Sequence, residues 1–584
     1  MKKLLLSVSA VILAFTANSQ VIVKGISPAA VVGTYTHSWA DPAGGWATPD
    51  FLVPGTFVED TLMMVEDGTP GTNPQGNPIS QEGCNPLTND LTGKIAVIFR
   101  NTCEFGAKAI NAQNAGAVGV IIVNRNPGEW LNMGPGANGA NVTIPVVMLD
   151  FVDGMNIVQE MQNGPVVMFL GNKIGVNAND AGMSASSTLI PKNGGVVSFL
   201  AQNGTEFNFD LGTRIYNYGN QPQSGITLTA TVTNPSGATV YNNSVSGINL
   251  TPGDSIDIEP SQANNLPAFS LATYPTGRYT LTYNIALGAG TADEDSSDNS
   301  ASYDFVIQDS LYSFAALDVA SGNAAPNAHY RPGTNNATYS VCSVLKDPNA
   351  SRIAAVGAHF SATSTAGVAL DGEEITLTLY KWEDNFVDLN DANFGFNTLT
   401  QVAGGFYYYP SDLQGELVYG AFDQAVVLED DVRYLACAQT VNLDVYLGFD
   451  SKTDYTWNYN WYAQPLSPIE SDGTYYAAGF GTDLPNALVL RVIDANNIGL
   501  NEAQMVEGKA YPNPANDNVT LSVEGEGVAT VTVSDISGKI VSVSNVTLNN
   551  GAADYSVQGL TEGMYIFHVA LENGKTAQFN VVKK

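Results

Sequence analysis

Three hydrophobic rhythms succeed one another along the chain. The first is continuous. Lys94-Ile-Ala-Val-Ile-Phe99 and Val118–Val123 are short, almost uninterrupted apolar runs, as expected of strands covered on both faces. Between them, Glu104–Ala115 carries Phe105, Ala109 and Ala112 at helical spacing. Asn101 or Thr102 is placed to cap its start, and Gly116 stands where a left-handed residue ends a helix. After a Gly/Asn-rich loop, Asn132–Asn141, the run Ile144–Leu149 predicts a third strand. Asp150 is placed to cap a second helix through Met161, and Pro165–Leu170 closes this βαβ region.

From Ala178 to Gln308 the period changes to two. Phe207-Asn-Phe-Asp-Leu211, Ile226–Val232 and Tyr279–Ile285 alternate, with turn chemistry between them at Asn234-Pro-Ser-Gly237 and Thr251-Pro-Gly-Asp254. Strands at this spacing predict an immunoglobulin-like sandwich over 178–308. Residues 312–495 alternate again, as in Ile375–Tyr380, and are rich in aromatics: Phe406–Tyr409, Tyr455, Trp457, Tyr459, Trp461 and Tyr462. That stretch has the size of a jelly roll or large sandwich. Its aromatics are expected mainly as core and cross-strand partners, with carbohydrate stacking as the competing role. A last alternating segment, 506–584, predicts a small sandwich ending in a strand from Ala577 to Val582.

The first residues follow another rule. Lys2 and Lys3 precede an apolar stretch, Leu4–Phe15, too short to span a bilayer, and Ala17 and Ser19 supply the small residues of a cleavage site. Residues 1–19 therefore read as a signal peptide. No later run approaches about 20 apolar residues, so no transmembrane helix is expected.

Composition sharpens the fold class. Only 14% of residues are charged, while Gly (57) and Pro (28) are plentiful, which suits short strands and many turns rather than helical bundles. The expected fold is multidomain and mainly β. The formal net charge of −33 repels phosphate backbones and excludes nucleic acid as a partner class. Four cysteines, Cys84, Cys103, Cys342 and Cys437, lie in an exported chain and imply two disulfides. Three pairings are formally open; proximity favours Cys84–Cys103 and Cys342–Cys437.

Two regions resemble known families. The run Gly93-Lys-Ile-Ala-Val-Ile-Phe-Arg-Asn-Thr-Cys-Glu-Phe105 is similar to the centre of a protease-associated (PA) domain. So are Asn111–Ala117, Val120–Asn124, Ile144–Met148, Asp153-Gly154 and the upstream Cys84-Asn-Pro-Leu87, all in the family's order. The resemblance covers 24–172. It implies a non-catalytic lid or binding module of the kind attached to proteases and sorting receptors. At the far end, Ala510-Tyr-Pro-Asn-Pro-Ala515 opens a second match. It continues through Val531–Asp535, Gly538-Lys539, Gly559-Leu560, Gly563–Val569 and Gly574-Lys575. This resembles the type A C-terminal sorting domain of type IX secretion substrates. That resemblance implies the type IX machinery as partner through 506–584, and an extracellular or outer-membrane-surface destination. Within 178–308, Asn217-Tyr-Gly219, Leu250–Gly253, Gly277–Leu281 and Asp298-Asn299 resemble adhesion modules of the CARDB type.

Catalytic motifs are sought because PA domains accompany proteases. None of His37, His329, His359 and His568 begins a His-Glu-x-x-His or His-x-Asp pattern, and no Gly-x-Ser-x-Gly elbow occurs. Gly182-Met-Ser184-Ala185 is only loosely similar to a subtilase nucleophile segment. No CxxC spacing supports zinc or redox chemistry, and disulfide pairing accounts for every thiol. No catalytic or cofactor residue is therefore assigned. The one candidate metal site is Asp293, Asp295 and Asp298, dense enough in oxygen ligands for Ca²⁺ but lacking the EF-hand glycine and bidentate glutamate; a solvated turn is the competing reading. The resulting expectation is a secreted or surface protein that binds an extracellular protein or glycan without catalysis. The alternative is a peptidase or glycan hydrolase with its site in 312–495.

Overall fold

The computed structural model describes residues 20–125, 131–318, 324–332, 338–365, 367–497, 508–525, 527–535, 540–571 and 576–584. The proposed signal peptide, 1–19, lies outside the described residues. Two compact units form: one holds the chain up to Val492 apart from 351–354, and the other holds 351–354 with Ile493–Lys584. Only three α-helices occur among the described residues, so the mainly β expectation holds.

The N-terminal region of the first unit is an eight-stranded sheet. Its strands are β1 (Val21–Ser27), β2 (Gly33–Tyr35), β3 (His37–Trp39), β4 (Phe57–Met64), β5 (Ile95–Phe99), β6 (Gly119–Val123), β7 (Val146–Leu149) and β8 (Val167–Asn172). They lie in the order β2-β1-β8-β4-β5-β6-β7-β3. The strands β4 to β7 run parallel, and every residue of β5 and β6 is buried. Apolar side chains on both faces are required because helices cover both faces. Ile95, Val97 and Phe99 pack on the side of α2 (Phe151–Met161), whereas Ala96 and Ile98 pack with Ala109 and Ala112 of α1 (Phe105–Asn114). Gly154 lets α2 approach the sheet: a Cβ there would lie 2.5 Å from Val123 Cγ1. Asp150 caps α2 as expected, accepting from the Asp153 amide at 2.7 Å, and Gly116 closes the α1 end at φ +94°. The start of α1 differs from expectation. Its N-cap is Glu104, without a side-chain cap bond. The Thr102 hydroxyl donates to the Glu82 carboxylate instead, because that buried anion needs donors more than the helix end does.

The next region of this unit is a sandwich. A five-stranded sheet runs in the order Gly195–Val197, Ser300–Gln308, Gly277–Ala286, Gln223–Thr233, Thr239–Leu250. It packs over a three-stranded sheet built on Thr213–Asn217. Alternation places Ile226, Leu228, Ala230 and Val232 in one core with Phe207, Phe209 and Phe305.

The third region is a larger two-sheet structure. One sheet contains Val489–Asp494, Ile353–Ser364 and Val445–Phe449. The other has six strands in the order Leu399–Tyr408, Glu374–Trp382, Arg433–Thr440, Tyr339–Leu345, Ile469–Ser471, Thr474–Tyr476. A helix of about two turns, α3 (Thr456–Tyr462), joins this region to the preceding sandwich. Asn458 Nδ2 donates to Ile190 O at 2.9 Å, and the Tyr462 hydroxyl to Asp210 at 3.0 Å.

The second unit is a small sandwich of three strands (Gly508–Tyr511, Asn518–Val523, Ala552–Ser556) and four (Ile540–Leu548, Gly527–Asp535, Gly563–Leu571, Thr576–Lys583). Val531, Val533, Phe567 and Val569 are fully buried between them. Gly538-Lys539 and Gly574-Lys575 of the C-terminal match fall outside the described residues.

Candidate functional site

Both disulfides join the nearer partners, Cys84–Cys103 and Cys342–Cys437. Beside the first lies a charge cluster that the sequence reading did not anticipate. Lys108 on α1 is fully buried, and its ammonium donates to Glu82 O at 2.6 Å and Phe99 O at 3.1 Å. Burial lowers Lys108 to about 8 against the opposing pull of Glu82. Burial also pushes the Glu82 carboxyl up, but hydrogen bonds from Thr102 and Asn73 hold it below the usual range. Every donor faces a protein acceptor, so the cluster ties the disulfide loop to the helix and the sheet.

The serine and histidine candidates do not assemble a nucleophile. Ser184 bonds Ser187 Oγ at 2.7 Å and Ser186 Oγ at 3.3 Å. A serine–histidine contact joins His329 Nε2 to Ser361 Oγ at 3.0 Å. Ser361 is 1% exposed, and a Cβ on Gly448 would stand 2.1 Å from its Oγ, so the hydroxyl lies beneath backbone. Burial also lowers His329 to about 4, which makes it a poor general base at neutral pH.

The acidic run Asp293, Asp295 and Asp298 meets lysines. Lys24 of β1 reaches Asp295 at 2.7 Å, and Lys173 pairs with Asp298 and, at 3.5 Å, with Asp180. Asp293 accepts from the Ala181 amide at 3.1 Å. The Lys173 ammonium also lies 3.7 Å over the Tyr218 ring. Burial raises Asp180 to about 6, with Lys173 opposing. Ammonium groups thus supply the positive charge in this cluster, at the junction of the eight-stranded region with the sandwich. Among the described residues, no group of three or more His, Cys, Asp or Glu side chains converges on a metal position.

The aromatics of 312–495 divide into two roles. Tyr409 and Tyr455 are buried, and Trp457 lies under Arg214 at 5.1 Å. Others define a face. On the outer side of the six-stranded sheet, strand register aligns Phe406, Thr376, Gln439, Ser340, Glu470 and Tyr475 in one row across the strands. Directly paired residues on antiparallel strands share a face, so the row is continuous. Phe406 is 62% exposed and its neighbour along the strand, Tyr408, 58%. Between them and Tyr475 opens a cavity of about 200 Å³ lined by Thr378, Tyr380 and Cys437.

This pocket is built rather than incidental. Glu470 is 5% exposed, and its Oε2 accepts from Ser340 Oγ at 2.9 Å and Gln439 Nε2 at 3.4 Å. Its Oε1 accepts from the Gly473 amide and, at 3.4 Å, from Thr338 Oγ1. Gln439 Nε2 also donates to Ser340 Oγ at 3.1 Å. Tyr475 is held by a ring stack: it lies 4.6 Å from Phe396, which lies 4.2 Å from Trp382. Arg433 closes the far end, 3.7 Å over Phe386. A larger hollow of about 400 Å³ near Ser364 and Asp412 has its polar groups already spent, Gln414 bridging both at 2.6 and 2.7 Å. The alternation in Ile375–Tyr380 places Thr376 and Thr378 on one face of their strand, opposite Ile375, Leu377 and Leu379. Which strands would lie beside them was not in that alternation.

Fold and modules together define an exported, multidomain β protein with an N-terminal PA module. Residues 60–157 match the family model described as PA domain, and residues 509–583 match the one described as Secretion system C-terminal sorting domain. The chain therefore carries both modules, and the type IX sorting domain directs it to the cell surface or the extracellular medium. Among similar proteins, the chain is 37% identical over 75 residues to "Minor extracellular protease Vpr" of Bacillus subtilis, covering 13% of this chain and 9% of that protein. It is 36% identical over 108 residues to "Aminopeptidase YwaD" of Bacillus subtilis, covering 18% and 24% respectively. A solved aminopeptidase from Aneurinibacillus sp. strain AM-1 aligns at 22% identity over 26% of this chain and 30% of that one, with a TM-score of 0.19. These peptidase matches cover only the PA domain. The chain spans between 9% and 25% of the length of the curated relatives it matches. No helix among the described residues is long and apolar enough to cross a membrane.

Proposed function

We propose that this protein is a secreted or cell-surface binding protein, delivered by the type IX system, that holds an extracellular ligand without transforming it. In this reading the PA module serves protein or peptide interaction, and the ligand site is the outer face of the six-stranded sheet. The observation that carries the reading is the row from Phe406 to Tyr475. It combines exposed and ring-stacked aromatics with a hydrogen-bonded polar centre. Its chemistry favours holding over cutting. Hydrolysis of a glycosidic bond ordinarily uses two carboxyl groups flanking the bond. The pocket is lined by one, Glu470, and both its oxygens are engaged by neighbours.

The second reading, a peptidase or glycan hydrolase, is favoured by the company PA modules keep in the relatives above. The two readings separate experimentally. Purified mature protein is assayed for binding against surface-protein and glycan panels, and for turnover of casein and polysaccharides with and without divalent metals. Saturable binding with no product formation supports the binding reading. Turnover abolished by a single substitution overturns it.

A further inference from the structure

We infer that the face from Phe406 to Tyr475 holds an uncharged oligosaccharide lying across the strands, one ring seated in the pocket over Cys437; the inference rests on the binding reading above. Hydrogen-bond polarity comes first. Glu470 accepts only, and it turns both Ser340 Oγ–H and Gln439 Nε2 toward itself. The amide of Gln439 is thereby oriented, and its carbonyl Oε1 is directed away from the carboxylate. The pocket thus offers an acceptor at Gln439, with the hydroxyls of Thr378 and Tyr380 on its floor and wall. A ligand that donates O–H groups and also accepts satisfies all three.

Charge excludes the main competitors. Glu470 lines the pocket, Glu374 stands beside Tyr408 on the same face, and the chain carries a net charge of −33, so polyanionic glycans are repelled. Inside the pocket an ammonium ligand finds no free carboxylate, because both oxygens of its one lining carboxylate, Glu470, are engaged. Apolar contacts then match a sugar's C–H faces: Tyr475 and Cys437 in the pocket lining and, further along, the exposed Phe406. Size agrees. The cavity of about 200 Å³ lies below the volume usual for drug-sized ligands and cofactors. Phe406 lies three strands from Ser340, about 14 Å at the usual strand spacing, which calls for a ligand of several units. The ring stack behind Tyr475 leaves little side-chain freedom to lose on binding.

The test is affinity electrophoresis of the full mature chain, whose charge carries it toward the anode. The native gels contain laminarin, xyloglucan, yeast mannan, dextran or heparin. Retardation by at least one of the four neutral polysaccharides is expected, and none by heparin. Phe406→Ala and Gln439→Met are each expected to weaken that retardation about tenfold. Tyr476→Ala, on the opposite side of the sheet, is expected to leave it unchanged. Thermal unfolding of each variant separates loss of binding from loss of fold. The inference is overturned if no neutral polysaccharide retards the protein, if heparin retards it more strongly, or if the Phe406 and Gln439 variants behave as wild type. In those cases the binding reading still stands where a protein ligand is captured and the same variants abolish capture. It falls separately if turnover is detected.

Discussion

Cys342 and Cys437 sit directly opposite one another on adjacent antiparallel strands, with Cα atoms 4.1 Å apart, and their bridge closes a segment of 95 residues beneath the pocket. The bridge constrains the unfolded chain and fixes the register of the two central strands of the six-stranded sheet. Replacing both cysteines by alanine is expected to lower unfolding free energy by about 4–5 kcal/mol, the loop-entropy value for a loop of this length. Denaturant unfolding of the double variant against wild type measures it.

Asp180 gives the stability a pH dependence of predictable sign. Its folded carboxyl is raised to about 6 by burial, against an ordinary value of 3.8. Between these limits the folded state holds the proton more tightly than the unfolded state, so this contribution to stability is full below about 3.8 and is lost as pH rises through about 6. His329, lowered by burial to about 4, acts in the opposite direction over an overlapping window, so the difference between variant and wild type is the informative quantity. Asp180→Asn removes the titrating group while Lys173 keeps Asp298. The expected outcome is a Tm that declines less, or rises more, from pH 4 to pH 7 than that of wild type. Identical slopes would show that Asp180 is not held in this environment.

Lys108→Met tests the buried cluster beside Cys84–Cys103. The thioether fills the space but leaves the carbonyls of Glu82 and Phe99 without their donor. An unsatisfied buried acceptor costs about 1–3 kcal/mol, so a loss in that range is expected on thermal or denaturant unfolding, with the α1 region losing amide-exchange protection first.

At the start of α2, Asp150→Ala removes the side chain that accepts from the Asp153 amide. A loss of about 1 kcal/mol is expected for such a cap. Asp150→Asn, which keeps an acceptor oxygen, is expected to recover most of it.

How much of this was legible beforehand depends on how local each feature is. The covered strands of the PA region were evident because both-face burial demands apolar residues at every position, as in Ile95–Phe99. The Asp150 cap and the Gly116 stop were evident because a cap bonds an amide three residues away. The α1 cap was misassigned for a related reason. Thr102 stands at a capping distance in sequence, yet its hydroxyl serves Glu82, 20 residues earlier, and no local pattern records that competition.

The same distinction governs the candidate site. Residue order alone determined the β-rich class, the two modules at the ends and the absence of known catalytic motifs, since these rest on spacing within short segments. It also singled out Asp293, Asp295 and Asp298 as oxygen-rich, but it could not show that Lys24 and Lys173 come from far along the chain to meet them. The row from Phe406 to Tyr475 was decided only by tertiary structure. Its six residues come from six strands, and a one-residue slip in any pairing would turn that strand's contribution to the other face. Alternation tells which side chains share a face of their own strand. Which strands become neighbours is set by the packing of the whole sheet, and there the proposed binding face is assembled.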